Sequence, residues 1–290
     1  MIDYKLLNAF AKVIEHGSFE KAAAVLGLTQ SAVSQRVKLL ESRIGEQVIV
    51  RGNPLSATEI GKSLLNHQAK VSLLEAELSS ELSLAVAEQQ RVRIAVNADS
   101  ISCWWFPAVK EYFLKHDLLV EIVIEDQNYG LERMKQGEVS ASICTSPTPL
   151  QGARAVYIGN LECGVYSSPV FAARYFPNGL DELSVAIAPA VIYGKKDDLH
   201  DDLLRDLNIK THYPFHICPS TQGIEQLILA DMAYGVLSVA QAKLNMDAGN
   251  CVRLATIEQT PSMNIPLYWH YWRQGASIFE KLIPYMKRGL

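Results

Sequence analysis

SFEKAAAVLGLTQSAVSQRVKLLE, residues 18–41, decides how the rest of the chain is read. It splits into two short helices joined by a tight turn. The run Ala22-Ala23-Ala24 lets the helices approach closely, and Gly27 with Leu28 supplies the turn, where a residue without Cβ can adopt a left-handed backbone. Thr29 is placed to cap the second helix by accepting a first-turn N–H. In that second helix Val33, Val37 and Leu40 recur at helical spacing, while Gln30, Ser31, Ser34, Gln35 and Lys38 fall on the other face. An aliphatic buried side with short polar side chains opposite suits a helix lying in a DNA major groove. An ordinary amphipathic hairpin gives the same periodicity, so the flanking residues have to separate the two readings.

Downstream, Gly45 is a helix terminator, and Gln47–Arg51 with Pro54–Ser56 forms a small hairpin whose Arg51 is placed to meet phosphate. Thr58-Glu59 then opens a long helix. Phe10, Val13, Gly17, Ser18, Phe19, Ala22, Ala23, Leu26, Gln30 to Ser34, Leu40, Glu41, Gly45 and Gly61 together match the N-terminal pattern of the LysR-type transcriptional regulators. The chain resembles that family over about 60 residues. The resemblance implies a helix-rich winged helix-turn-helix domain over 1–57, contacting an operator through Ser18, Thr29, Gln30, Ser31, Ser34, Gln35, Lys38 and Arg51. It also implies a homodimer or tetramer and contact with RNA polymerase.

Composition bounds these expectations. The 290 residues suffice for more than one compact unit, and 49% hydrophobic with 20% charged content supports sizeable cores. The net charge of −4 excludes a uniformly basic nucleic-acid binder. Residues 1–60 carry seven Lys/Arg and six Asp/Glu, so DNA affinity has to come from placement, helix N-termini and pairing. No signal-peptide pattern and no apolar run of membrane length occurs, so a soluble cytoplasmic protein is expected. The five cysteines are scattered without CxxC spacing, which argues for buried thiols rather than a metal cluster or disulfides. No metal and no cofactor is called for.

Residues 58–88 show Ile60, Leu64, Val71, Leu74, Leu78 and Leu82 at steps of three, four or seven. The stripe is narrow and the helix long, so a second copy is expected to cover it. The alternative is packing on the helix's own winged domain. Beyond Gln90 the pattern alternates: Val92, Ile94 and Val96, then Leu119–Ile124, then Ser140–Cys144, separated by helical stretches. This β-α-β order predicts an α/β domain over 91–290 with a parallel sheet covered on both faces. Further strands are expected at Gly164–Tyr166, Val191–Tyr193, Phe215–Cys218, Val236–Val239 and Leu267–Trp272. The resemblance adds that this effector domain is two-lobed and periplasmic-binding-protein-like, with lobe one at 91–162 and 266–290 and lobe two at 163–265.

Ligands of such sheets sit beyond the C-terminal strand ends. There Ser100, Thr145 with Ser146, and Thr221 can hold a carboxylate, and Asp99, Asp126 and Asp198 can face a cation; the same residue types are also ordinary helix caps. Trp104-Trp105 is read as core. Val96–Ser100, Arg174–Gly179, Asp198 with His200, and Tyr268-Trp269-His270 resemble the arginine/lysine-sensing branch of the family, whose members control basic amino acid export; one is also described as an inhibitor of chromosome replication initiation. Two rival classes fit poorly. For an enzyme, His200, His212, His216 and His270 with the five cysteines could supply base and nucleophile, but no GxSxG elbow, HExxH, GxGxxG or P-loop is present and catalysis leaves the helix-turn-helix unexplained. A solute-binding transport component fits the C-terminal pattern but is expected to carry a signal or lipobox, and no such pattern is seen.

Overall fold

The computed structural model describes residues 2–50, 52, 55–81, 91–116, 118–125, 130–195, 197–273 and 277–290. Arg51, Asp126 and the end of the long helix, 82–88, lie outside the described residues.

The N-terminal unit is α1 (Tyr4–His16), α2 (Phe19–Leu26), α3 (Gln30–Ile44), a hairpin of β1 (Ile49–Val50) and β2 (Ser56–Ala57), and α4 (Glu59–Glu81). Its helix boundaries follow from local chemistry. Asp3, Ser18 and Thr29 accept first-turn N–H groups, from Lys5, Lys21 and Ala32 respectively. Gly17, Gly27 and Gly45 close the three helices with φ of 62°, 63° and 86°. Leu7, Phe10, Val13, Ala22, Val33, Val37, Leu40, Val48 and Leu64 form the core between them, each large side chain contributing about 1.5–3 kcal/mol. The hairpin is shorter than the sequence suggests. The N–H of Val48 donates to the Glu41 carboxylate at 3.1 Å and its carbonyl accepts from Thr58 N at 3.1 Å. Pairing therefore begins only at Ile49, opposite Ala57.

Gly61, in the first turns of α4, abuts this hairpin. A Cβ there would lie 2.3 Å from the Val48 carbonyl oxygen and 3.1 Å from the Phe10 ring. Gly61→Ala is expected to push α4 off the hairpin and destabilise the N-terminal unit by about 1–3 kcal/mol, read as a lower denaturant midpoint.

The alternative reading of α4 holds for its first half: Ile60, Leu64 and Leu65 pack on the winged domain itself. Farther along, Leu74 and Leu78 are exposed. The middle of α4 touches the C-terminal domain. Asn66 packs against Gly137, and Lys70 Nζ lies 3.8 Å from the centre of the Trp272 ring. The Lys62 ammonium is held above its ordinary range chiefly by Glu59, with Glu138 adding to this and Arg133 opposing it.

The C-terminal domain contains β3 (Arg91–Val96), α5 (Ala98–Cys103), α6 (Trp105–Lys115), β4 (Leu119–Ile124), α7 (Gly130–Lys135), β5 (Ala141–Cys144) and β6 (Ala153–Ser167). It continues with α8 (Pro169–Tyr175), α9 (Glu182–Ile187), β7 (Ala190–Ile192), α10 (Leu199–Asp206), β8 (Phe215–Ile217), α11 (Thr221–Leu229), β9 (Tyr234–Ser238), α12 (Val239–Asp247), β10 (Val252–Arg253), β11 (Met263–Trp272) and α13 (Ser277–Gly289). The sheet order is β4-β3-β5-β11-β6-β9-β7-β8, with β10 on β6. The sheet is mixed rather than wholly parallel. β4-β3-β5 and β9-β7-β8 are parallel, and the two groups are joined by antiparallel β11 and β6.

The strand expected at Gly164–Tyr166 is the end of a 15-residue strand, β6. Its ladder with β11 shifts register at Leu267/Tyr268, opposite Gly159, whose φ is 149°. This strand serves both halves of the domain. Ile158, Leu161 and Cys163 enter the core built on β3, β5 and α13, where Trp104 and Trp105 also lie. Val165 and Tyr166 enter the cores of the other half.

Candidate functional site

The polar face of α3 is open. Thr29, Gln30, Ser31, Gln35 and Lys38 are exposed, and Ser34 and Ser18 half-buried, while Val33, Val37 and Leu40 are buried behind them. Three of these hydroxyls are engaged within the fold. Ser18 caps α2, and Thr29 Oγ1 both caps α3 and lies 3.0 Å from Ser31 Oγ. Gln30, Ser34, Gln35 and Lys38 keep side chains with no structural duty among the described contacts.

The second site is a cavity of about 370 Å³ between the two halves of the C-terminal domain, within the range of small-molecule pockets. One wall is Asn97, Ala98 and Asp99 at the start of α5, with Ile124 and Glu125 at the end of β4. The other runs from Tyr193 and Gly194 through Asp197, Asp198, Leu199, His200 and Asp202, with Val191, Ile224 and Val236 behind. Five carboxylates (Asp99, Glu125, Asp197, Asp198, Asp202) line it and no lysine or arginine does, among the described residues.

These acids are not equivalent. Asp197 accepts from Tyr193 N at 2.9 Å and from Leu199 N at 3.2 Å, so it holds the loop that opens α10. Asp202 pairs with Arg205 at 2.6 Å. Glu125 is held by Arg133 Nε at 2.6 Å, and the same guanidinium reaches Glu138 at 2.7 Å. Asp198 occupies the cap position of α10 without a capping hydrogen bond from its side chain. Asn97 is 4% exposed, and neither its Oδ1 nor its Nδ2 has a partner. His200 is 3% exposed; burial pushes its imidazole down to about 4, with Asp201 opposing, so the ring is neutral near pH 7.

Of the described residues proposed from sequence, Asp99 and Asp198 line this cavity and Ser100, Thr145, Ser146 and Thr221 do not. Ser100 is fully buried on the inner side of α5, its Oγ without a partner. Thr145 and Ser146 follow β5 and are not among the residues lining the cavity. Ser146 Oγ accepts from Thr148 N at 3.2 Å and its carbonyl lies 2.8 Å from His270 Nε2, a turn-closing role. Thr221 Oγ1 is bonded to Ser102 Oγ, joining α11 to α5 across the two halves. Asn97, Glu125, Asp197 and His200 lie at strand or helix ends, where the same rule applies; Tyr193, Asp202 and the aliphatic walls carry no local signal of a site.

All five cysteines are free. Burial pushes the Cys144, Cys163 and Cys251 thiols up to about 11, 12 and 11, far from a nucleophile's range. Among the described residues no His/Cys/Asp/Glu group is arranged to hold a metal, and no helix is long and apolar enough to cross a membrane.

Residues 4–62 match the model of the bacterial regulatory helix-turn-helix protein, lysR family. The HTH-type transcriptional regulator ArgP of Pseudomonas fluorescens is 42% identical, over 99% of this chain and 96% of its own length. The crystal structure of ArgP from Mycobacterium tuberculosis superposes with a TM-score of 0.83 at 32% identity, covering 100% of this chain and 97% of the other. Full-length LysG from Corynebacterium glutamicum, solved with bound effector Arg, gives a TM-score of 0.71 at 29% identity, covering 100% and 99%. An exposed recognition face on α3, a cavity between two half-sheets and end-to-end likeness to these regulators lead to one conclusion: the chain belongs to the lysR family of DNA-binding transcriptional regulators, on its ArgP branch, and is not an enzyme.

Proposed function

We propose that this regulator senses a basic amino acid, lysine or arginine, in the cavity between the two lobes of its C-terminal domain. The observation that carries this is the charge of the lining: five carboxylates against no lysine or arginine among the described residues. Ile124, Val191, Leu199, Ile224 and Val236 offer apolar wall to the methylenes of such a ligand. The arginine bound to LysG supports the same chemistry. Thermal shift against the twenty amino acids tests it. Lysine or arginine at a hundred times Kd is expected to stabilise the protein by about 2.7 kcal/mol. A shift with acidic or apolar amino acids alone overturns the reading.

In this proposal the signal leaves the cavity through Glu125. A cation arriving beside Glu125 competes with Arg133, and Arg133 also grips Glu138, next to the Gly137–Asn66 contact with α4. The ligand can shift the DNA-binding unit only by its differential affinity for the two arrangements of this contact. Arg133→Met is expected to keep the effector's thermal shift while flattening its effect on operator affinity, measured by gel shift. An unchanged response removes this route. Pairing of two copies along the exposed Leu74 and Leu78 of α4 would set two recognition helices on an imperfect palindrome. We place the protein in the cytoplasm, acting with RNA polymerase on genes of basic amino acid export or metabolism.

A further inference from the structure

His200 is a buried polar residue that the fold alone does not explain. It lies in the first turn of α10, its ring centroid 4.7 Å from that of Tyr213 and 5.0 Å from that of Tyr234. Nε2 is 3.2 Å from Tyr234 Oη, and Nδ1 has no partner. A buried polar atom left without a partner is costly, and its residue forms part of the cavity wall.

Tyr234 fixes which nitrogen carries the proton. Its phenol is fully buried, and burial holds it protonated by pushing its pKa up. Among the described hydrogen bonds its partner is His200 Nε2. Were Nε2 protonated, the phenol hydrogen would be buried without an acceptor. The phenol therefore donates to Nε2, and the neutral ring carries its hydrogen on Nδ1.

An amino acid entering this cavity brings a carboxylate into a ring of carboxylates. A lysine or arginine placed to bind it would pair with those acids and repel the effector's own cationic end. A neutral N–H donor avoids both costs. We propose that His200, held in the Nδ1–H tautomer by Tyr234, donates to the effector's carboxylate, so that the site accepts intact basic amino acids and rejects the amines left by their decarboxylation. Asn97, whose amide is buried and unpartnered on the facing wall, is the second neutral donor. This rests on the basic amino acid reading above and specifies how that ligand is oriented.

The test compares lysine and arginine with 1,5-diaminopentane and agmatine, by calorimetry on the full-length protein. The wild type is expected to favour the amino acids at least about tenfold. His200→Phe keeps a ring between the two tyrosines but removes the N–H. It is expected to lose about tenfold to a hundredfold in amino acid affinity, as for a hydrogen bond to a charged group, and nothing for the amines. His200→Asn, with an amide N–H near the Nδ1 position, is expected to recover part of the loss. Equal losses for amino acids and amines, or no loss for either, overturn the role of His200 while leaving the effector reading intact. A wild type that binds none of the four removes both. Nitrogen-15 NMR of the imidazole gives a readout independent of ligand and of the variants' folding. Protonated Nδ1 with bare Nε2 is expected, and the reverse tautomer overturns the proposal.

Discussion

Asp198→Asn is expected to weaken lysine or arginine binding by about tenfold to a hundredfold, while the affinity of the ligand-free protein for its operator stays within twofold. The reasoning separates Asp198 from its neighbour. Both oxygens of Asp197 are engaged by Tyr193 N and Leu199 N, so that carboxylate serves the loop. Asp198 lines the same cavity and caps nothing with its side chain. A carboxylate that neither caps nor braces is the one left to meet a guanidinium or ammonium, and a charged hydrogen bond of this kind is worth about 1.5–3 kcal/mol. Asparagine keeps the shape and removes the charge, so the loss reads the ionic contact rather than packing. Asp197→Asn is the control: it should lower thermal stability with or without ligand, because a loop-holding acceptor is weakened. Calorimetry for ligand and gel shift for operator separate the two outcomes. An Asp198→Asn protein that binds within threefold of wild type places the cation elsewhere, with Asp99 the next candidate.

What the sequence disclosed and what it hid divide by range. The helix-turn-helix was legible because its determinants are neighbours: Ser18 and Thr29 cap three residues ahead, and Gly27 and Gly45 close helices in left-handed backbone. The long strand β6 was not legible. Gly159-Asn160 has the composition of a turn, yet in the folded chain it faces Leu267 and Pro266 inside a continuous ladder. Only pairing with β11, a hundred residues away, distinguishes a bulge from a turn, and the same pairing makes the sheet mixed. The cavity suffered likewise. Asp99 and Asp198 were within reach of a rule about strand and helix ends. The same rule nominated Thr221, whose hydroxyl the fold spends on Ser102, and Ser146, which closes its own turn. Residue type at a helix start does not say whether the side chain faces a cleft or its own backbone. Asp202 and Tyr193 enter the cavity only because α10 and the preceding loop stand opposite α5, a fact of topology that no window of sequence contains.

The second large effect concerns DNA. The double change Gln30→Ala, Ser34→Ala is expected to cut the ratio of operator to non-specific binding by about tenfold to a thousandfold, with non-specific affinity nearly unchanged. Both side chains sit on the first two turns of α3, Gln30 exposed and Ser34 half-buried, outside the buried set of Val33, Val37 and Leu40 and with no partner among the described hydrogen bonds, so the fold does not need them. Glutamine can read adenine through two hydrogen bonds in the major groove and serine can serve several bases; each good base contact discriminates by about 1–3 kcal/mol. Lys38→Ala makes the contrast. Its ammonium is exposed one turn beyond Ser34, and we propose that it meets phosphate rather than a base. Losing it should weaken binding to every sequence alike and reduce the slope of log K against log salt by about 0.9. The two variants therefore differ in kind: one loses selectivity at constant salt slope, the other loses slope at constant selectivity. Competition gel shifts over a salt series measure both quantities in one experiment. If the double variant keeps its selectivity, the bases are read by something other than α3, whatever the affinity does.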